Sequence, residues 1–179
     1  GGNVGTHTAT SAVDVDNVFV AYYDEDNRDL KFTKTANAGV DWSTPVTVDS
    51  TGDVGQHAAI EAASASTIFV SYYDATNTKL KFARSIDGGS NWTKVDVDSG
   101  NVGQYADLDA VDANTIFISY YDAGNGDLKV AKSILSGSAG SWTPVTVDAG
   151  GAGVDVGRYT SISALSANRV NVSYYDVSN

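Results

Sequence analysis

A heptad that occurs four times constrains the fold of this chain more than any other feature. The copies are AYYDEDN, SYYDATN, SYYDAGN and SYYDVSN, at positions 21–27, 71–77, 119–125 and 173–179. Their aspartates are 50, 48 and 54 residues apart. A repeat of this length is typical of arrays whose units stack on one another to bury their apolar faces. We therefore expect one array over 1–179, with units at about 4–53, 54–101, 102–155 and, incomplete, 156–179.

An aromatic ring marks a second position in every unit. A His or Tyr follows a Val-Gly-X tripeptide and lies 17 residues before the YYD aspartate in all four copies. The ring residues are His7, His57, Tyr105 and Tyr159, and the aspartates are Asp24, Asp74, Asp122 and Asp176. Because this offset never varies, both motifs must have the same spatial relation in every unit.

Residues 54–99 show most clearly how a unit is built. The segments HAAIEAAS, TIFVSYYD, KLKFARS and WTKVDVDS are strand-like, and the residues between them are mainly Gly, Asn, Asp and Ser, which favour turns. We name these segments strands A to D in chain order. Strand B is a continuous apolar run, so it needs cover on both faces.

An array of four-stranded sheets around an axis supplies this cover, because each sheet lies between its neighbours. The sequence therefore predicts an all-β fold, a β-propeller of four-stranded antiparallel blades with about three and a half blades in this chain. A β-sandwich is the alternative. The fourth unit shows only strands A and B, so we expect its other strands and the remaining blades to come from a longer parent chain or another subunit.

The composition excludes several kinds of site. The chain has no Cys and no Met, so it has no disulfide framework and no thiolate chemistry. A net charge of −11 argues against binding to nucleic-acid phosphates, and no apolar run reaches the length of about 18 residues that membrane insertion requires. We expect no cofactor. The acidic, Asp-, Thr-, Ser- and Gly-rich composition favours an extracellular or cell-surface location.

One loop resembles a motif of a known family. SIDGGSNW, at 85–92, resembles the Asp-box of sialidase-type propellers, Ser-X-Asp-X-Gly-X-X-Trp, which lies between the third and fourth strands of a blade. Degraded copies occur at 35–42 and 133–142, and the YYD units resemble tandem repeats of large microbial surface proteins. A short Asp side chain can accept N–H groups within its own turn, so we expect Asp87 and Trp92 to serve the fold.

The strand order places the Val-Gly-X-ring and YYD motifs at one rim of the array and the Asp-box loops at the other. Strands A and B are the inner pair, so the four ring residues should line the mouth of the channel. Rings stack on sugars, and Asp and Asn side chains bond to hydroxyl groups. The candidate ligand-binding residues are His7, His57, Tyr105, Tyr159, Asp24, Asp74, Asp122, Asp176, Asn27, Asn77 and Asn125.

Two other interpretations of these residues remain open. In a purely structural one, the tyrosines pack between blades, the Asp accepts N–H groups in its turn, and the Asn takes a positive φ. In the other, alternating oxygen ligands in the turns bind calcium, and the candidates are Asp24, Asp26, Asp29, Asp122 and Asp127.

The resemblance to sialidases implies a catalytic arginine cluster and a tyrosine nucleophile with a glutamate partner. The chain has four arginines, of which only Arg28 and Arg158 fall on the candidate rim. We therefore expect that the chain is not an enzyme. The function predicted first is a non-catalytic, extracellular module with a structural or adhesive role toward other surface proteins. The alternatives are a lectin-like, carbohydrate-binding propeller and a degenerate sialidase-type glycoside hydrolase.

Overall fold

The computed structural model describes residues 2–151 and 153–178, and the regular structure in these two ranges is entirely β. Asn179, the asparagine of the fourth heptad, lies outside the described residues. The strands are β1 (Val4–Ala12), β2 (Asn17–Asp24), β3 (Asp29–Ala36), β4 (Val46–Asp49), β5 (Val54–Ala62), β6 (Ile68–Asp74), β7 (Lys79–Ser85), β8 (Thr93–Ser99), β9 (Val102–Ala110), β10 (Ile116–Asp122), β11 (Asp127–Ser133), β12 (Thr143–Asp148), β13 (Val156–Ser166) and β14 (Arg169–Asp176). None of the described segments is a helix that could span a bilayer.

The strands form four separate antiparallel sheets in chain order. Strands β1–β4, β5–β8 and β9–β12 are the first three sheets, here called blades 1, 2 and 3. Strands β13 and β14 pair with each other and are called half-blade 4. The predicted all-β propeller with four-stranded antiparallel blades is confirmed.

Blade stacking explains why strand B is apolar on both faces. Every residue of β6 and of β10 is buried. Phe19 and Phe32 of blade 1 pack against Val70 and Tyr72 of blade 2 in one core cluster. The next cluster repeats this arrangement between Phe69, Phe82 and Val97 of blade 2 and Ile116, Ile118 and Tyr120 of blade 3. The core of the protein thus lies between the sheets.

The first strand of each blade is innermost, since β1 contacts β5, β5 contacts β9, and β9 contacts β13. It begins at the valine of Val-Gly-X, earlier than the sequence pattern predicts. The register of β5 against β6 shifts on both sides of Gln56, where Gly55 and His57 both have positive φ. These bulges break the alternation of inward and outward residues, so the pattern does not show this part of the strand.

An aspartate at or next to the end of the fourth strand clamps blade 1 to blade 2 and blade 2 to blade 3. Asp49 accepts hydrogen bonds from the Tyr72 hydroxyl at 2.8 Å, from Lys81 Nζ at 2.6 Å and from Lys94 Nζ at 3.1 Å. Burial raises the pKa of Asp49, but these hydrogen bonds outweigh it and lower the pKa to about 2. Asp98 repeats the clamp on Tyr120 and Lys129 of blade 3.

The loop at 85–92 lies between the third and fourth strands, as predicted. The Asp87 carboxylate accepts the N–H groups of Ser90 and Asn91, and Ser85 Oγ donates to it at 2.8 Å. The hydrogen bonds from Asn91 lower the pKa of Asp87 to about 2. The Trp92 ring lies edge-on to Phe32 of the preceding blade, with 5.1 Å between centroids. Asp87 therefore holds the turn, and Trp92 joins two blades.

We expect Trp92→Ala to lower the free energy of unfolding by about 2–3 kcal/mol, less than a fully buried Trp would cost, because Trp92 is half-buried. Trp42 is the matched control: it occupies the same loop position in blade 1 and is 48% exposed. Trp42→Ala should change stability by about 0.5 kcal/mol or less. Urea unfolding of both variants is the measurement, and equal losses would refute the assigned role of Trp92.

Candidate functional site

The four ring residues form one row along the inner strands. Each valine of Val-Gly-X pairs with the aspartate of its own YYD, as Val54 does with Asp74, so the two motifs share one end of the sheet. The ring centroids of His7 and His57 are 4.7 Å apart, those of His57 and Tyr105 are 4.7 Å apart, and those of Tyr105 and Tyr159 are 4.4 Å apart. The structure thus brings together the rings that the sequence singled out. We call these four residues the ring row.

All members of the ring row have a positive φ. The values are 50° for His7, 52° for His57, 53° for Tyr105 and 52° for Tyr159. This conformation is uncommon for residues other than Gly and strained for bulky ones, whereas Asn adopts it more readily. Because the motif accepts both His and Tyr at this position, the residue types alone do not predict a positive φ there.

The second tyrosine of each YYD supports the ring of its own blade. Tyr23 lies edge-on to His7 at 6.1 Å between centroids, and Tyr73 does the same to His57 at 6.3 Å. The Tyr23 hydroxyl donates to Asp53, which immediately precedes β5 of blade 2, at 2.7 Å. The ring row is therefore held by side chains that cross from one blade to the next.

The ring row borders a shallow concavity of about 330 Å³. Its lining consists of the ring residues and the small residue that follows each of them, namely His7, Thr8, His57, Ala58, Tyr105, Ala106, Tyr159 and Thr160. His7 and Tyr159 are exposed, and the two central rings are half-buried. A ligand can therefore reach aromatic surface on all four units.

The two histidines of the row are uncharged at neutral pH. Burial lowers the pKa of His57 to about 4, and the neighbouring His7 contributes in the same direction. Burial also lowers the pKa of His7, although Glu25 opposes the shift. At pH 7 the row consequently presents neutral aromatic faces and neutral hydrogen-bonding groups.

These shifts predict that acid destabilises the protein through His57. Its pKa is lowered in the folded state, so the unfolded chain binds the proton more readily between pH 6.5 and pH 4. We expect about 2 kcal/mol of stability to be lost across that window, after allowance for partial exposure. His57→Tyr, which introduces the ring found at Tyr105, should remove this loss.

Urea unfolding at pH 7.0, 5.5 and 4.0 measures the effect of His57→Tyr. His7→Tyr is the control, because His7 is exposed and should contribute less. Asp49 and Asp87 both have a pKa of about 2, which lies below this pH window. Their effect on stability is the same in all three proteins. A pH slope that is unchanged in His57→Tyr would contradict the prediction.

The YYD aspartates and their asparagines bond to each other. Asp74 is buried, accepts the Asn77 N–H at 2.9 Å, and accepts the Asn77 side-chain amide at 2.9 Å. The same pair of bonds joins Asp24 to Asn27 and Asp122 to Asn125. Asp176 accepts the Ser178 N–H. These carboxylates and amides close the turns, and their role as ligand groups stays a prediction.

Asn27, Asn77 and Asn125 do not take the positive φ that the structural interpretation gave the motif asparagine. The next residue does so instead: Arg28 at 60°, Thr78 at 54° and Gly126 at 78°. In these turns the asparagine side-chain amide bonds to the aspartate, and the positive φ falls on the residue that follows the asparagine.

The calcium candidates already have other neighbours. Asp24 and Asp29 lie 3.8 Å and 3.0 Å from Lys31 Nζ, and Asp26 accepts the Asn3 N–H at 2.8 Å. Asp122 lies 3.9 Å from Lys129 Nζ, and Asp127 pairs with it across the turn. Within residues 2–151 and 153–178, no three side chains of His, Asp or Glu come together as a metal site would require. Calcium binding stays a prediction.

A polar cleft beside the ring row escaped the sequence analysis. It lies between blades 1 and 2, has a volume of about 590 Å³, and is lined by Thr6, His7, Tyr23, Glu25, Arg28, Asp53 and Gln56. Gln56 donates to Asp53 at 3.2 Å. One signal was present in the sequence, because the residue before each Val-Gly is always Asn or Asp: Asn3, Asp53, Asn101 and Asp155.

Comparison with known proteins identifies the fold. No family model and no curated protein matches this chain. A mutant of the NanB sialidase from Streptococcus pneumoniae matches 93% of this chain with a TM-score of 0.65 and 14% identity. A leech intramolecular trans-sialidase matches 89% of it with a TM-score of 0.59 and 21% identity. This chain spans about a quarter of the length of these structures, namely 27% and 26%.

The expectation that the chain is not an enzyme must be corrected, because the solved structures named above, which it resembles, are those of sialidases. The missing arginine cluster does not decide the question, since the chain covers only part of such a structure. At identities of 14% and 21% the similarity shows the fold alone. Residues 2–151 and 153–178 thus have the fold of a sialidase-type β-propeller.

Proposed function

We propose that the ring row is a carbohydrate-binding surface of the propeller. The observation that carries the proposal is the positive φ of all four ring residues, His7, His57, Tyr105 and Tyr159. For Tyr105 and Tyr159 this conformation costs stability that Gly or Asn would not cost, whereas His adopts it more readily than most residue types. Retention of a ring in all four units is what a stacking surface requires.

The chemistry of the row favours a neutral, hydroxyl-rich ligand. The imidazoles are uncharged at pH 7, and the tyrosine hydroxyls can both donate and accept hydrogen bonds. The net charge of −11 disfavours an anionic ligand at this surface. Because the rings follow one another at 4.4–4.7 Å, an oligosaccharide can contact several of them at once.

The proposal includes an adhesive role at the cell surface or outside the cell. Partners would then be glycans, among them those carried by other surface proteins. The blade-to-blade clamps on Asp49 and Asp98 support it, since they make the array a rigid base for the ring row.

Tyr105→Asn tests the proposal on the central part of the row. Asn accepts a positive φ, so the substitution removes the ring while relieving the backbone. We expect affinity for the best neutral oligosaccharide on a glycan array to fall at least about tenfold, which corresponds to 1.4 kcal/mol. The melting temperature should change little, because the lost ring contacts are offset by relief of strain.

Tyr105→His is the matched control, because blades 1 and 2 carry His7 and His57 at this position. It should retain most of the affinity. Sialylated glycans belong on the same array, with released sialic acid measured in parallel. The proposal is overturned if no glycan binds, or if Tyr105→Asn binds as well as the natural chain.

A further inference from the structure

The surface beside β14 differs from its counterparts in the other blades. In the part of the chain that the structure describes, β14 pairs only with β13, whereas β6 and β10 each lie between two strands. Tyr174 of β14 is 39% exposed, but its equivalents Tyr72 and Tyr120 are fully buried. The outer edge of β14 therefore offers an unpaired backbone beside a partly uncovered tyrosine.

An apolar slot adjoins this edge. It has a volume of about 380 Å³ and is lined by side chains of blade 3 and of β14, among them Phe117, Val130, Val145, Val147, Val170 and Val172. Val147 is 56% exposed, whereas its equivalents Val48 and Val97 are 3% and 8% exposed. The same positions are thus covered at the two complete blade boundaries.

The third strand of the next blade and the loop that follows it provide that cover. At the boundary of blades 1 and 2, Ala83 of β7 and Trp92 of the following loop pack into the shared cluster. At the boundary of blades 2 and 3, Ala131 of β11 and Trp142 take these places. The cluster between blade 3 and half-blade 4 contains side chains of β13 and β14 but no counterpart of these residues among those described.

The carboxylate beside the apolar slot indicates which charged group its occupant should carry. Asp49 and Asp98 each accept a hydrogen bond from a lysine of the next blade's third strand, Lys81 and Lys129 respectively. Asp148, the equivalent residue of blade 3, accepts from the Tyr174 hydroxyl and from the Gly150 N–H. A lysine arriving beside β14 would complete the clamp that the other boundaries show.

We propose that the β14 edge and the adjoining slot bind a β-hairpin with the chemistry of the repeat's own third and fourth strands. Its first strand pairs with β14 and carries a lysine to Asp148. Two residues later it places a small residue against Val172, and the Trp of its loop covers Val130. This interaction surface is separate from the ring row and does not depend on the proposed function.

The test uses the peptide KLKFARSIDGGSNWTKVDVD, residues 79–98, labelled with fluorescein and titrated with the protein. We expect saturable binding in fluorescence anisotropy and slower hydrogen exchange at the amides of β14. The peptide with Lys81→Ala, and the protein with Asp148→Asn, should each lose about tenfold in affinity. Together the two changes should lose little more than either alone, because they remove the same contact.

Asp41→Asn is the control protein, since it makes the same charge change in an exposed loop of blade 1. It should bind the peptide as the natural chain does. Absence of saturable binding up to about 1 mM peptide, the weak end of specific affinities, overturns the proposal. So does binding that neither Lys81→Ala nor Asp148→Asn weakens. Self-association of the chain through β14 that the peptide does not displace would identify a second copy as the occupant and also overturn it.

Discussion

Replacement of Asp49 by Ala is expected to lower the free energy of unfolding by about 3–5 kcal/mol, the range for removing one partner of a buried ion pair. Asp49 is 1% exposed and accepts hydrogen bonds from Tyr72, Lys81 and Lys94. Without it, a buried hydroxyl and a largely buried ammonium group lose their acceptor, and the boundary between blades 1 and 2 loses its clamp. Urea unfolding at pH 7 measures the loss.

Asp148→Ala is the matched control for this prediction. Asp148 ends the fourth strand of blade 3, but its partner Tyr174 is partly exposed, so water can replace the lost hydrogen bond. We expect a loss of about 1 kcal/mol or less. Because the pKa of Asp49 is about 2, its effect should be the same from pH 5 to pH 8. Equal losses in the two variants would mean that burial of the clamp does not matter.

The fold was predictable because its strongest signals are local. The apolar run of β6 required cover on both faces, and the structure buries all seven of its residues between two other blades. The strand order then placed the ring residues and the YYD motifs at one end of the sheets, as the pairing of Val54 with Asp74 shows. These conclusions needed only the pattern of apolar residues in each segment and the number of strands in a unit.

The clamps escaped the sequence analysis because they join residues of different units. Asp49 bonds to Tyr72, which is 23 residues away, and an Asp at a strand end looks like an ordinary solvated turn residue. Asp49 is buried only because blade 2 packs against blade 1, and the sequence does not show that contact. Asp53 was missed in a similar way, because it immediately precedes β5 of blade 2 and accepts a hydrogen bond from Tyr23 of blade 1.

The positive φ of the ring residues was not predicted from the sequence, for a different reason. Tyr105 is of a residue type that seldom adopts this conformation, whereas His57 is of a type that adopts it more often, so propensity does not predict it for a motif that accepts both. The conformation is imposed by the bulges of β5 and β9, which depend on how these strands approach the preceding blade. Local preference was overruled there by packing across the blade boundary.

The glycine of Val-Gly-X is expected to tolerate no side chain, and Gly103→Ala should lower the free energy of unfolding by about 2–6 kcal/mol. A Cβ built on Gly103 would lie 2.8 Å from the Leu80 Cα, and the φ of 105° is itself strained for Ala. The strain costs about 1–3 kcal/mol. Forcing β9 away from β7 costs about 1–3 kcal/mol more.

Gly100→Ala separates the two contributions to the loss at Gly103. Gly100 has nearly the same φ, 111°, but a Cβ there would meet no atom within 4 Å. It should therefore show the strain alone. Gly55→Ala should repeat the full loss, because its Cβ would lie 2.8 Å from the Leu30 Cα at the preceding blade boundary. If Gly100→Ala destabilised the protein as much as Gly103→Ala, backbone conformation alone would explain the glycine, and the close approach of neighbouring blades would carry no energetic weight.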